Sequence, residues 1–193
     1  VWPSLDDAGT GVLDVAAWMR GKGVLEPLTS GVLVVEVSQD RRHGLLQVVG
    51  ENASGVRQVE IVAATRGGDL RSAPGTSWIP RRVAEVVASD ESLTGVAVDS
   101  KGWAVDLVPA IEESMAIAGR VIPIHEVSPA DFVAACGASD QVVGDGEIRH
   151  SGGPVMKAAI QSAQKRDRGG VWVWDRKRMG VTGLPLVAMT VGL

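Results

Sequence analysis

The sequence predicts an α/β domain whose mixed sheet has three antiparallel strands followed by parallel crossover strands, with helices flanking the sheet. Two observations support this fold class. The first three runs of strand-forming residues follow one another through short links, whereas helical segments precede the later runs at 95–99 and 120–125. The chain has 193 residues, 45% of them hydrophobic, which is enough for one sizeable core.

The first half of the chain supplies the antiparallel strands. Val32–Val37 is a nearly unbroken β-branched run, which predicts a buried strand over 31–37. A second strand is predicted over 41–49. Gly50–Gly55 contains the Gly and Asn residues typical of a turn, and a third strand follows over 56–65.

Helices and crossover strands make up the rest. An amphipathic apolar pattern predicts a helix over 78–89. Ser128 is a good N-cap and Pro129 suits a first helical turn, so another helix begins there. Trp172 and Trp174 alternate with valines, as in an extended segment. The remaining predicted elements are a lead-in helix over 13–20, a loop over 66–77, and helices over 103–118, 153–164 and 185–191.

The charge does not by itself identify a ligand. The formal net charge is −4, with 23 acidic and 19 basic residues, which is not typical of a generic nucleic-acid-binding domain. The basic residues are nevertheless clustered, at Arg41-Arg42, Arg81-Arg82, Lys165-Arg166 with Arg168, and Arg176-Lys177-Arg178. These clusters either converge on a basic groove or are ordinary solvated charges. No apolar run is long enough to span a bilayer, and the single Cys136 excludes an internal disulfide.

Acidic residues accompany two of the predicted core strands. Glu36 lies inside the first strand, Asp40 follows just beyond it, and Asp99 ends the fourth strand. A buried carboxylate is costly to keep ionised unless it is paired or bound to a metal ion. Two such groups predict a site for Mg²⁺ or Mn²⁺, which prefer oxygen ligands. The alternatives are an edge-facing or salt-bridged residue for Glu36, a cap at the start of a loop for Asp99, and a plain turn residue for Asp40.

Six short segments carry recognisable motifs: Val34–Arg41, Val98–Ser100, Ala134–Ala138, Gly146–His150, Trp172–Arg176 and Pro185–Ala188. In this order they resemble segments of the C-terminal nuclease domain of the large terminase subunit of tailed bacteriophages. Val34–Arg41 is similar to that family's Asp-Val-Ser-Pro-Asp-Arg strand, and Trp172–Arg176 is similar to its Trp-Ala-Trp-Asp-Arg segment.

This resemblance implies a ribonuclease H-like nuclease domain over 31–193 and, over 1–30, a connector from a missing N-terminal ATPase domain. It implies an endonuclease that cuts concatemeric double-stranded viral DNA by two-metal hydrolysis, using two Mg²⁺ or Mn²⁺ ions. The implied partners are DNA, the ATPase domain, the portal and the small terminase subunit, in the cytoplasm of the infected bacterium. No phosphate-binding Gly-x-x-x-x-Gly-Lys-Ser/Thr loop occurs in this sequence.

The resemblance also assigns roles to residues. Glu36 and Asp99 are the implied shared metal ligands, with Asp40 close by. Thr182 stands where the family has its third carboxylate, and Asp175 is the candidate replacement. The candidate DNA-binding residues are Arg41, Arg42, Lys165, Arg166, Arg176 and Arg178. Because Thr182 departs from the family pattern, a catalytically weakened DNA-binding or docking domain is one alternative. A junction-resolvase-like nuclease is another.

Overall fold

The computed structural model describes residues 11–64 and 75–193, and a mixed sheet of six strands lies at its centre. Along the chain the helices and strands are α1 (Val15–Arg20), β1 (Leu28–Val37), β2 (Gly44–Asn52), β3 (Arg57–Ala64), α2 (Ile79–Ser89), β4 (Leu93–Asp99), α3 (Val108–Ala118), β5 (Ile124–Val127), α4 (Pro129–Asp145), β6 (Arg149–His150), α5 (Pro154–Gln161), β7 (Lys165–Arg168), β8 (Val171–Trp174), α6 (Arg176–Met179) and α7 (Leu184–Gly192). Short 3₁₀ turns precede α3 and α7, at Val105–Leu107 and Gly180–Gly183.

The sheet has the strand order β5-β4-β1-β2-β3-β6. Antiparallel pairing joins β1 to β2 and β2 to β3, and parallel pairing joins β1 to β4 and β4 to β5. This is the predicted arrangement of three antiparallel strands followed by parallel crossover strands, so the ribonuclease H-like fold class is confirmed. The two-residue β6 adds a parallel edge beside β3.

Both faces of the sheet are covered, which explains why the apolar run of β1 is interrupted only by Glu36 from Val32 to Val37. Leu33, Val35 and Val37 pack in a core with α2 and α3. Val34 points to the opposite face, into a core that includes most of α7 together with parts of α1, α4 and α5. Glu36 shares the orientation of Val34, because side chains alternate along a strand.

Several predicted boundaries are wrong, and local chemistry explains two of them. The second strand begins at Gly44 rather than at residue 41, since the segment from Ser38 to His43 forms a turn in which Arg41 adopts a φ of 55°. The fifth strand lies at Ile124–Val127 rather than 120–125. Pro123 has no N–H to donate to a sheet, and the strand begins directly after it.

A hairpin was not predicted. The helix expected over 153–164 ends at Gln161, and β7 then pairs antiparallel with β8. Gly169 and Gly170 connect the two strands with φ values of 64° and 89°, a conformation that two consecutive glycines adopt without steric cost. The predicted loop over 66–77 lies mostly outside the described residues.

The lead-in segment packs against the domain. Asp14 caps α1 through the N–H groups of Ala16 and Ala17, at 2.8 and 3.1 Å. Trp18 is 1% exposed, and its ring stacks on His150 with the centroids 3.7 Å apart. The division of the chain at residue 30 stays a prediction. Within the described residues, no helix has the length and apolar character needed to cross a bilayer.

Candidate active site

Glu36 and Asp99 are brought together because β1 and β4 are adjacent parallel strands. Their register pairs Val34 with Ala97, and each carboxylate follows two residues later on its own strand. Glu36 is 1% exposed and Asp99 is 6% exposed. The two predicted ligands are therefore buried acids at the carboxyl ends of the central strands, where open α/β sheets commonly bind ligands.

Arg176 lies against both carboxylates. Its Nη1 donates to Glu36 Oε1 at 3.4 Å, and its Nη2 lies 2.7 Å from Asp99 Oδ2, an ion pair without hydrogen-bond geometry. The guanidinium also stacks over Phe132, with Cζ 4.6 Å from the ring centroid. Sequence analysis assigned Arg176 to DNA binding and missed this contact, which joins residues 140 positions apart.

Glu36 and Asp99 differ in how many of their carboxylate oxygens have hydrogen-bond partners. Asp99 Oδ1 accepts a hydrogen bond from the Lys101 N–H at 2.9 Å, so this side chain also caps the turn after β4. Glu36 Oε2 is buried and has no hydrogen-bond partner among the described residues. An unsatisfied buried carboxylate oxygen carries a free-energy cost that a cation would relieve.

The pKa of Glu36 reflects this environment. The pKa is raised from 4.5 to about 7: burial raises it most strongly, the Arg176 guanidinium lowers it, and the negative charge of Asp99 raises it. Arg176 therefore only partly compensates for the loss of water around Glu36.

A cleft of about 580 Å³ opens at these strand ends. Glu36 and Arg176 line its inner part, and Trp103, which is 44% exposed, lies on its wall. Asp40 also lines the cleft. Its carboxylate accepts hydrogen bonds from the Ser38 hydroxyl at 2.6 Å and the Arg42 N–H at 3.0 Å. The Ser38 hydrogen bond, followed by that from Arg42, lowers the pKa of Asp40 below its usual value.

The predicted replacement for the third acid is engaged elsewhere. Asp175 caps α6 by accepting a hydrogen bond from the Arg178 N–H at 3.2 Å, and its Oδ2 lies 3.6 Å from Arg178 Nε. Thr182 lies in the 3₁₀ turn before α7. Within 11–64 and 75–193, no three His, Cys, Asp or Glu side chains form a group that could hold a metal ion. The available acidic donors are therefore Glu36 and Asp99, with Asp40 further out in the cleft.

The candidate DNA-binding residues separate into two groups. Arg166 lines the cleft, as does Lys177, which the prediction omitted although it belongs to a basic cluster. Arg42 is exposed just beyond β1. Arg166 and Lys177 could therefore face a ligand in the cleft without first breaking an ion pair found in the described structure.

The other candidate DNA-binding side chains form ion pairs with acidic residues. Lys165 Nζ lies 2.7 Å from Asp140 Oδ2 and 4.2 Å from the centroid of Trp172. Arg41 forms an ion pair with Asp106, and Arg178 pairs with Asp175 as described above.

Comparison with known proteins gives a consistent picture of the fold. No protein-family model and no curated protein matches the chain. Among solved structures, the large terminase of bacteriophage HK97 is similar, with a TM-score of 0.75 and 21% identity over 95% of this chain. The match covers 43% of the HK97 chain, so the present chain spans less than half the length of that protein.

Two isolated nuclease domains are also similar over nearly their whole length. The nuclease domain of the large terminase subunit of bacterial virus Sf6 matches with a TM-score of 0.60 and 9% identity, over 94% of this chain and 98% of its own. The large terminase nuclease of thermophilic phage G20c matches with a TM-score of 0.57 and 11% identity, over 94% and 97%. The chain thus has the ribonuclease H-like fold found in the nuclease domains of phage large terminases.

Proposed function

We propose that this chain is the divalent-metal-dependent endonuclease domain of a phage DNA-packaging terminase large subunit. The observation that carries the proposal is the pair of buried carboxylates, Glu36 and Asp99, which adjacent strands place against one cation beside an open cleft. The fold supports it, and structures of the G20c nuclease contain bound magnesium or cobalt.

The donor set fits a hard divalent ion. Mg²⁺ keeps several waters in proteins and is commonly held by one or two carboxylates together with substrate phosphates. Glu36 offers the unsatisfied Oε2, and Asp99 offers the oxygen that now faces Arg176. Asp40, in the same cleft, is the residue that we assign to a second ion. Bound ions would activate water and stabilise the leaving oxygen of a phosphodiester.

The protein's own residues would position the DNA. Arg166 and Lys177 line the cleft and would neutralise backbone phosphates, an interaction without sequence preference. Trp103, a partly exposed aromatic side chain, lines the same cleft. Cation binding would also keep Glu36 ionised at neutral pH, because a nearby positive charge favours the carboxylate over the acid.

The wider assembly belongs to the same proposal. The resemblance of the sequence motifs and the fit to less than half of the HK97 chain support a domain that works beside an ATPase domain. We place the portal and the small terminase subunit among its partners, and double-stranded viral DNA in the host cytoplasm as its substrate.

A plasmid-cleavage assay with Mn²⁺ or Mg²⁺ tests the activity. We expect cleavage by the wild-type domain, loss of cleavage in Glu36→Gln and Asp99→Asn, and loss of cleavage in EDTA. Glu112→Gln is the matched control, because Glu112 is an exposed acid on α3. Absence of wild-type cleavage with both metals, or full activity in the Glu36 and Asp99 variants, would contradict the proposal.

The second candidate function is DNA binding without catalysis. Two observations favour it: the Arg176 ion pairs already neutralise part of the carboxylate charge, and Thr182 replaces an acid. This function predicts that the domain retains DNA equally in EDTA and in Mn²⁺, with binding that weakens as salt rises. A gel-shift titration under both conditions, run beside the cleavage assay, distinguishes the two functions.

A further inference from the structure

The carboxylate pair already has a cation that belongs to the chain. Arg176 Nη1 lies 3.4 Å from Glu36 Oε1 and Nη2 lies 2.7 Å from Asp99 Oδ2, so a single guanidinium contacts acids from two strands. Asp99 Oδ2, which Nη2 contacts, is also the oxygen that Asp99 would offer to a divalent ion, because its Oδ1 accepts the Lys101 N–H. Mg²⁺ binds oxygen at about 2.0–2.1 Å, so the ion and the guanidinium compete for Asp99 Oδ2.

Charge balance also makes the two cations alternatives. Two ionised carboxylates and one guanidinium leave a single excess negative charge. A divalent ion added beside the guanidinium would reverse this to an excess positive charge, whereas an ion in its place would leave the cluster neutral. Glu36 and Asp99 are buried, and unbalanced charge is costly where water is excluded.

Arg176 is held in a way that permits exchange. Its side chain is 30% exposed and lines the cleft, and its contact with Asp99 lacks hydrogen-bond geometry. It begins α6, a helix of four residues. A guanidinium that left the carboxylates would remain beside a cleft that also contains Arg166 and Lys177, where the proposed DNA phosphates would supply new acceptors.

We propose that Arg176 is an internal competitor of the divalent ion: its guanidinium occupies the Glu36–Asp99 pair and must withdraw before the ion binds there. This inference rests on the proposed function, because it takes the same carboxylate pair as the metal site. It adds that Arg176 lowers the affinity of the site for the ion, and that a single substitution removes this competition.

Mn²⁺ binding to the purified domain, without DNA, tests the exchange. Titrations followed by the electron paramagnetic resonance signal of free Mn²⁺ would compare the wild type with Arg176→Gln and Arg176→Lys. We expect Arg176→Gln to bind Mn²⁺ about tenfold more tightly or better, because a unit positive charge beside both ligands is removed. Arg176→Lys should show a smaller gain, since a lysine ammonium is a single point charge that lacks the planar fork of arginine.

Arg81→Gln is the matched control. Arg81 is also an arginine paired with an acid, Glu85, but it lies on α2 and its side chain is 87% exposed. We expect its Mn²⁺ affinity to equal that of the wild type. Circular dichroism and thermal melting in EDTA would establish that each variant is folded, and Arg176→Lys remains informative if Arg176→Gln does not fold.

Three results would overturn the exchange: unchanged or weaker Mn²⁺ affinity in the folded Arg176 variants, no Mn²⁺ binding by them at all, or an equal gain in Arg81→Gln. The plasmid assay reports separately on the proposed function. Tighter Mn²⁺ binding without any DNA cleavage would support the exchange and reject the nuclease. Wild-type cleavage without tighter Mn²⁺ binding by Arg176→Gln would support the nuclease and reject the exchange.

Discussion

Replacement of Glu36 by Gln is expected to stabilise the domain at alkaline pH in the absence of metal ions. Glu36 is 1% exposed, and its Oε2 lacks a hydrogen-bond partner among the described residues. Gln has nearly the shape of a protonated Glu, and its amide oxygen can still accept a hydrogen bond from Arg176. The substitution therefore removes a costly buried charge and leaves the surrounding packing in place.

The size and sign of the effect follow from the pKa. Burial raises the pKa of Glu36 from 4.5 to about 7 in the folded chain, so the folded protein holds this proton more tightly than the unfolded chain does. The associated stability is fully present below pH 4.5 and is lost as the pH rises to about 7. The difference between the two pKa values corresponds to about 3 kcal/mol of unfolding free energy.

Urea unfolding in EDTA at pH 5 and pH 8 measures this difference. At pH 8 we expect Glu36→Gln to be more stable than the wild type by up to about 3 kcal/mol, and at pH 5 by under about 1 kcal/mol. Glu112→Gln, which changes an exposed acid, should follow the wild type at both pH values. A Glu36→Gln protein that is no more stable than the wild type at pH 8 would refute the reasoning.

Two further predictions concern the core. Trp18→Ala should lower the unfolding free energy by about 3–5 kcal/mol, because it removes a ring that is 1% exposed and stacks on His150; urea unfolding measures the loss, and a change below 1 kcal/mol would contradict the packing. Thr190→Val should cost about 1–3 kcal/mol by removing the buried hydroxyl that accepts from Trp174 Nε1 at 2.9 Å, which leaves the indole only the longer 3.2 Å bond to Ser139 Oγ. The same titration and the Trp emission wavelength would detect it, and equal stability to the wild type would contradict it.

The central strands could be predicted because their residues carry the information locally. Val32–Val35 is apolar on both sides of the strand, and the structure packs it between two layers of helices. The same regularity indicates that Glu36 shares a face with Val34, and the crossover to β4 brings Asp99 beside it. The period-two pattern, one crossover and two carboxylates, together with the family resemblance, identified the candidate pair.

Other features depend on contacts between distant segments. β7 is the polar sequence Lys-Arg-Asp-Arg, which has no strand-like pattern and becomes a strand by pairing with β8. Arg176 belongs to a basic cluster that suggests solvent or DNA, yet it reaches a carboxylate 140 positions earlier. Asp175 matches a metal ligand by residue type, but its oxygens face the N-terminus of α6. Composition and spacing do not distinguish such alternatives.

The position of α7 has a consequence for the order of events during synthesis. Residues Leu184–Val191 are all buried, and the helix packs on β1 and β2, strands translated some 130 or more residues earlier. Gly183, Leu184 and Val187 also line the cleft beside Glu36. Contacts of such long sequence separation form late, because a large chain loop must close first. A ribosome-bound chain from which α7 has not yet emerged therefore lacks part of its core and part of the cleft lining. The proposed DNA-cutting centre is assembled only after α7 has been released.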